Sequence, residues 1–154
     1  VLAGLTMWQL LVLGLLAVSA GTDLEHLRLP PSAYIYTATA IGVLVAYLQN
    51  GWDGAREAVI AQAIWFALMT LTVMLLRRTA GGDIKLMLQY GAACGNLPLS
   101  LIGMIIASSV MIPISLIYWL RYRRPIPRTP LAPLAWLGAL VALLLETSFA
   151  TLPF

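Results

Sequence analysis

The stretch LMLQYGAACGNLPLSLIGMIIASSVMIPISLIYWL, residues 86–120, contains no charged residue. A transmembrane helix needs only about 20 consecutive apolar residues, so this stretch is too long for one span. It is interrupted by Gly95, Asn96 and Pro98, which are residue types that favour a turn. The stretch therefore predicts two membrane helices, a short one that ends near Gly95 and a full-length one that follows the turn.

The rest of the sequence alternates between apolar runs and short charged gaps. Further apolar runs cover residues 1–21, 32–49, 58–76 and about 131–149. The first run lacks the basic start of a signal peptide, and we interpret it as a retained helix. The chain of 154 residues is 61% hydrophobic and 10% charged, whereas soluble domains are about 25% charged. We therefore predict an all-α, polytopic integral membrane protein: six transmembrane helices forming one domain, residues 1–154, in a lipid bilayer.

The basic residues indicate the orientation of these helices. Eight of the nine lie in the first, third and fifth gaps, and only Arg56 lies in an even gap. The eight are Arg28, Arg77, Arg78, Lys85, Arg121, Arg123, Arg124 and Arg128. Because basic residues concentrate in cytoplasmic loops, the odd gaps are predicted to be cytoplasmic and both termini to lie outside.

The net charge of +3 and the single cysteine limit the functional classes. The basic residues form no basic face with interleaved aromatic residues, so we predict no nucleic-acid partner. Cys94 alone provides neither an internal disulfide nor a cysteine-pair metal site. We predict a protein without a metal or other cofactor.

Two aspartates, Asp23 and Asp83, stand next to predicted helices on the cytoplasmic side. The fourth helix, from Asp83 to Gly95, would be about 18 Å long at 1.5 Å per residue. Because the hydrocarbon core is about 30 Å thick, Asp83 is expected at partial membrane depth. The preceding Gly81 and Gly82 are expected to form an irregular entry that lines a wet cavity.

These aspartates have two interpretations. Two carboxylates that meet do not both ionise easily, and such a pair supplies an acid and a base near neutral pH. In the other interpretation, Asp23 is an interfacial loop charge and Asp83 caps the fourth helix. Spacing alone leaves both interpretations open.

Short motifs surround both aspartates. Ala80-Gly81-Gly82-Asp83 is followed by Ile84-Lys85-Leu86 and, at residues 90–95, by the small-residue stretch YGAACG. Pro30 follows Asp23 at a distance of seven residues. These motifs resemble those of the prepilin peptidase (type IV leader peptidase) family, the GxGD class of intramembrane aspartyl proteases. In this resemblance Asp83 corresponds to the aspartate of the GxGD motif, and Asp23 corresponds to the first family aspartate, which a proline typically follows at this distance.

The resemblance covers roughly residues 20–95 and implies a function. It implies an aspartic endopeptidase of the prokaryotic cytoplasmic (inner) membrane that cleaves the basic leader from prepilins or pseudopilins. Asp23 and Asp83 would be the catalytic residues, supported by Gly81, Gly82 and Lys85. The paired-cysteine methylase region of larger members is absent from the sequence, so the resemblance implies the short form.

The sequence departs from the family pattern at Ala80, where a glycine is usual, and at Pro31, where an asparagine is usual. Neither change removes a carboxylate, so we expect activity. Two alternatives remain: a transporter subunit whose aspartates bind ions or protons, and a catalytically silent scaffold of a secretion complex.

Overall fold

A computed structural model describes residues 5–26, 29–76, 81–123 and 131–150 of the chain. These residues form five α-helices: α1 (Met7–His26), α2 (Ser32–Leu76), α3 (Gly81–Cys94), α4 (Leu97–Tyr122) and α5 (Leu131–Ala150). Three segments are long and apolar enough to cross a membrane: Met7–Glu25, Ser32–Leu75 and Leu97–Tyr122. The all-α prediction is confirmed. The described residues form five helices, where six separate ones were predicted.

Helix α2 accounts for the difference in number. It has 45 residues, which would extend for about 68 Å in a straight helix. Gly51 has φ 64° and ψ −149°, which is not a helical conformation. Gly42, before this break, packs against Ala92 of α3, and Gln62, after it, packs against the adjacent Gly91. The two halves of α2 therefore lie side by side against α3.

The reversal at Gly51 corrects the predicted gap at residues 50–57, which are helical apart from Gly51 itself. Only glycine adopts this backbone region readily, because it has no Cβ atom. One glycine therefore makes the whole turn, and no separate loop is needed.

Helix α1 continues beyond the predicted end at residue 21. Gly21 does not interrupt it, since the positive-φ glycines of the described chain are Gly51 and Gly95. Continuing the helix satisfies the backbone hydrogen bonds of the polar residues that follow. Asp23 therefore lies within the last turns of α1, and its predicted position after the helix is wrong. Residues 1–4 of the first predicted run lie outside the described residues.

The predicted turn between the fourth and fifth apolar segments is confirmed. Gly95 has a positive φ of 63°, and the side chain of Asn96 accepts a hydrogen bond of 3.3 Å from the Leu99 N–H at the start of α4. Helix α3 has 14 residues and is about 21 Å long, shorter than a bilayer core. Gly81 and Gly82 are its first residues. The predicted irregular entry at these glycines is wrong, because the helix already includes them.

Small residues bring the helices close together. A Cβ atom on Gly42 would lie 2.9 Å from the Cβ of Ala92. At the crossing of α4 and α5, a Cβ on Gly103 would collide with the backbone of Gly138. Small residues at helix crossings are typical of membrane proteins, where close backbone packing replaces hydrophobic burial as the force that joins helices.

The centre of the bundle is built around Tyr90, which is fully buried. Its hydroxyl donates a hydrogen bond of 2.6 Å to the Ser100 carbonyl, and its ring packs edge-to-face on Trp65 with centroids 5.5 Å apart. The Trp65 indole donates to the Ser100 hydroxyl at 2.9 Å. These contacts join α2, α3 and α4, while large apolar side chains such as Ile105 and Ile112 remain exposed on α4, as is expected of a surface in contact with lipid.

Candidate active site

The described bundle has two ends that can be recognised by their contacts. At one end, the Gln9 side-chain amide of α1 donates a hydrogen bond of 3.2 Å to a carboxylate oxygen of Glu146 near the end of α5. At the other end, the last turns of α1 meet the beginning of α5 through Asp23 and Ala132. We call the first the outer end and the second the inner end. Most of the basic residues behind the topology prediction (Arg28, Arg77, Arg78, Arg124 and Arg128) lie outside the described residues.

Asp23 is buried at the inner end, with 9% of its surface exposed. Its Oδ2 atom accepts a hydrogen bond of 3.0 Å from the backbone N–H of Ala132, the second residue of α5. The first N–H groups of a helix have no partner within that helix, and the N-terminus of a helix favours negative charge. The start of α5 therefore provides both a donor and a favourable field for this carboxylate.

Asp83 lies in the first turn of α3 and is partly buried. The Asp23 carboxylate is near enough to act electrostatically on the Asp83 carboxyl group. The two predicted site aspartates therefore lie near the same end of the bundle, although 60 positions separate them in the sequence. The two aspartates therefore do not lie on opposite sides of the fold.

The supporting residues lie around Asp83. A Cβ atom on Gly82 would come within 3.2 Å of the Leu29 side chain, so this glycine lets α3 begin close to the connection between α1 and α2. The Lys85 ammonium donates a hydrogen bond of 2.7 Å to the Ser32 hydroxyl at the start of α2. Gly81 is the first residue of α3. Ala80, where the sequence departs from the family pattern, lies outside the described residues, and Pro31 is exposed.

Ala132 was not predicted as a partner of Asp23. Ala132 contributes a backbone N–H from a position 109 residues away. The nearest sequence signal is Pro133, which has no N–H of its own and is typical of a helix start.

A second polar region lies at the outer end, around a cavity of about 70 Å³. Its lining includes Gln9, Glu57, Asn96 and Glu146. The Asn96 side-chain amide donates to Glu57 at 3.3 Å. None of these four side chains was predicted as a site residue. In the part of the chain that the structure describes, no three His, Cys, Asp or Glu side chains are grouped as a metal site would require.

A protein-family model described as the type IV leader peptidase family matches residues 10–117. The match covers more than half of the chain and includes both aspartates of the inner end. The chain belongs to the type IV leader peptidase family. No curated protein matches the sequence, and no solved structure matches it. The leader peptidase match confirms the resemblance found at the two aspartates, and it ends before α5, which supplies the backbone donor to Asp23.

Proposed function

We propose that this membrane protein is an aspartic endopeptidase that removes the basic leader peptide from type IV prepilins or pseudopilins. The observation that supports the proposal most directly is the electrostatic proximity of Asp23 and Asp83 at the inner end, in a chain of the leader peptidase family. Membership of the family supports the substrate class, and the proximity of the two carboxyl groups supports the proposed pair.

The reaction needs one water molecule and both carboxyl groups. The ionised member takes a proton from the water, whose oxygen attacks the carbonyl carbon of the scissile peptide bond. The protonated member donates its proton to the amide nitrogen as the C–N bond breaks. Asp23 accepts the Ala132 N–H on Oδ2, which leaves its other oxygen for the water. A coupled pair titrates as a unit, so we assign the two roles to the pair as a whole.

The proposal includes the placement of the protein in the prokaryotic cytoplasmic (inner) membrane. The reversal of α2 at Gly51 supports six membrane-crossing segments, because each half of α2 then has the length of one span. With the odd gaps on the cytoplasmic side, the inner end faces the cytoplasm and both termini face outward. Cleavage then takes place at the cytoplasmic face, just before the apolar helix of the substrate.

Three further residues have proposed supporting roles. Gly81 and Gly82 add no side chain beside Asp83, which would let a substrate backbone approach the start of α3 closely. Lys85 fixes the start of α2 through Ser32 and contributes positive charge near the pair. None of the three takes part in the transfer of a proton.

The test is cleavage of a tagged prepilin by the purified protein, followed by mass spectrometry of the products. We expect the wild type to release the leader, and Asp23→Asn and Asp83→Asn each to lose activity by about 10²- to 10⁴-fold, because each removes one member of the acid–base pair. Asp53→Asn is the matched control, since Asp53 is an exposed aspartate next to the reversal of α2. It should cleave at the wild-type rate.

Undiminished cleavage by either site variant would refute the proposal. A wild type that folds and does not cleave would favour the alternatives, which are an ion-coupled transporter subunit and a scaffold of a secretion complex.

A further inference from the structure

A buried glutamine side chain joins the two helices that carry the aspartates. Gln89 of α3 is 2% exposed and Ser19 of α1 is fully buried. The Ser19 hydroxyl donates a hydrogen bond of 2.8 Å to Gln89 Oε1. The Gln89 Nε2 group donates in turn to the backbone carbonyl of Leu15, at 3.2 Å. One amide group therefore binds two successive turns of α1.

A buried side-chain amide is unusual in the interior of an apolar helix bundle. A buried amide that loses its partners costs free energy, whereas apolar side chains of similar shape pack there without that cost. Gln62 of α2 shows the contrast, because its Nε2 group is buried without a hydrogen-bond partner among the described residues. Burial of polar groups therefore does not by itself produce a bridge in this protein, and the bridge at Gln89 has a specific geometry.

That geometry sets the position of α1 along α3. Leu15, Ser19 and Asp23 follow one another at intervals of four residues, so they lie on one face of α1. Asp23 is about 6 Å beyond Ser19 along the helix, and Asp83 is about 9 Å from Gln89 along α3, in both cases toward the inner end. A slide of α1 by one turn, about 5.4 Å, would move Asp23 away from the level of Asp83.

Helix α2 also forms a hydrogen bond to Leu15 of α1. The Tyr34 hydroxyl donates a hydrogen bond of 2.6 Å to the Leu15 carbonyl, which thus accepts from α2 and from α3. Tyr34 lies in the first turns of α2, close to Ser32, which binds Lys85 of α3. The contacts of Leu15 and Ser19 therefore fix the depth of α1 relative to both neighbouring helices.

We propose that Gln89 and Ser19 are positioning residues of the peptidase, which hold α1 and α3 in the register that brings Asp23 and Asp83 together. This inference rests on the proposed function. Neither side chain touches the substrate, and both act through the aspartates. A misplacement of reacting groups by about 1 Å costs on the order of 10²-fold in rate, so the register affects the chemical step more than substrate binding.

The experiment measures kcat and KM for cleavage of a tagged prepilin by three variants. Gln89→Leu removes both hydrogen bonds to α1, and Ser19→Ala removes one of them. Gln62→Leu is the matched control, since it makes the same substitution at an amide whose Nε2 group has no partner in the part of the chain that the structure describes. We expect kcat to fall about 10- to 100-fold in Gln89→Leu and by less in Ser19→Ala. KM should stay within about twofold in both, and Gln62→Leu should keep both constants.

A second measurement tests the register of α1 against α3 independently of catalytic activity. Cysteines introduced together as Asp23→Cys and Asp83→Cys are cross-linked with a short bismaleimide reagent, while the buried Cys94 provides no accessible thiol. We expect the yield of the cross-link to fall at least threefold when Gln89→Leu is added, and to stay unchanged when Gln62→Leu is added.

An unchanged kcat in Gln89→Leu, a change confined to KM, or an unchanged cross-link would overturn the inference. If Gln89→Leu does not fold, Ser19→Ala decides by the same criteria. A wild type that cleaves no prepilin refutes the proposed function, and the cross-link then still decides whether Gln89 sets the register.

Discussion

At the scale of single residues, Asp23 meets the first turn of another helix. Its carboxylate accepts a hydrogen bond of 3.0 Å from the Ala132 N–H in a buried setting. Hydrogen bonds to charged groups contribute about 1.5–3 kcal/mol, so this contact both stabilises the protein and fixes the rotamer of Asp23. The orientation of one half of the candidate pair thus depends on the backbone of α5.

Replacement of the donor tests this dependence. Ala132→Pro removes the N–H at a position where the first turn of a helix accepts proline, and we expect kcat for prepilin cleavage to fall by about tenfold or more. Ala132→Val is the control, because valine is close to proline in size and retains the N–H. The two variants are compared by initial rates at saturating substrate. Equal rates for the two would mean that the hydrogen bond has no part in positioning Asp23.

At this scale, part of the candidate site could be predicted from the sequence. The residues around Asp83, together with Pro30 after Asp23, identified the two aspartates through their family resemblance. The Ala132 contact escaped prediction, because a backbone N–H carries no residue signature and its partner is 109 positions away. The bridge at Gln89 could not be predicted for a related reason, because it depends on which faces of two helices are in contact.

At the scale of helices, glycines decide how closely α2 and α3 pack. Gly42→Ala would place a Cβ 2.9 Å from the Cβ and 3.0 Å from the carbonyl carbon of Ala92, and the backbone there cannot yield without moving a helix. We expect a loss of about 1–3 kcal/mol in the free energy of unfolding, from overpacking. The measurement is the thermal unfolding midpoint in detergent.

The control for this substitution is Gly14→Ala on α1, where a Cβ would meet nothing within 4 Å. Alanine favours a helix over glycine by about 1 kcal/mol, so the midpoint should be unchanged or higher. If both variants unfolded at the same temperature, close packing at Gly42 would not be the reason for its glycine.

Helix boundaries were predicted well where a residue type imposes a turn. As predicted, α3 ends just before Gly95 and α4 begins just after Asn96. They were predicted poorly where charge alone suggested a gap. The polar residues around Asp23 and those after Asn50 remain helical, because a helix satisfies its backbone internally and tolerates polar side chains at its ends.

At the scale of the whole molecule, composition predicted an all-α membrane protein and could not predict which helices are neighbours. A helix that is apolar all round has no stripe to indicate its buried face. In the structure, close contacts of small residues and a few polar bridges determine which helices are neighbours. Examples are the contact of Gly103 with Gly138 and the hydrogen bond from Gln9 to Glu146. Polar clusters lie at both ends of the described bundle, and the pair Asp23 and Asp83 lies at only one of them.

The most direct test of the central claim is a double-mutant cycle at this pair. Residues that act as a unit are strongly non-additive, so the loss in kcat for Asp23→Asn combined with Asp83→Asn should be no larger than the loss for the more damaging single variant. The measurement is the rate of leader release from one prepilin by the wild type, both single variants and the double variant. Losses that multiply in the double variant, or a single variant that cleaves at the wild-type rate, would contradict a shared catalytic pair.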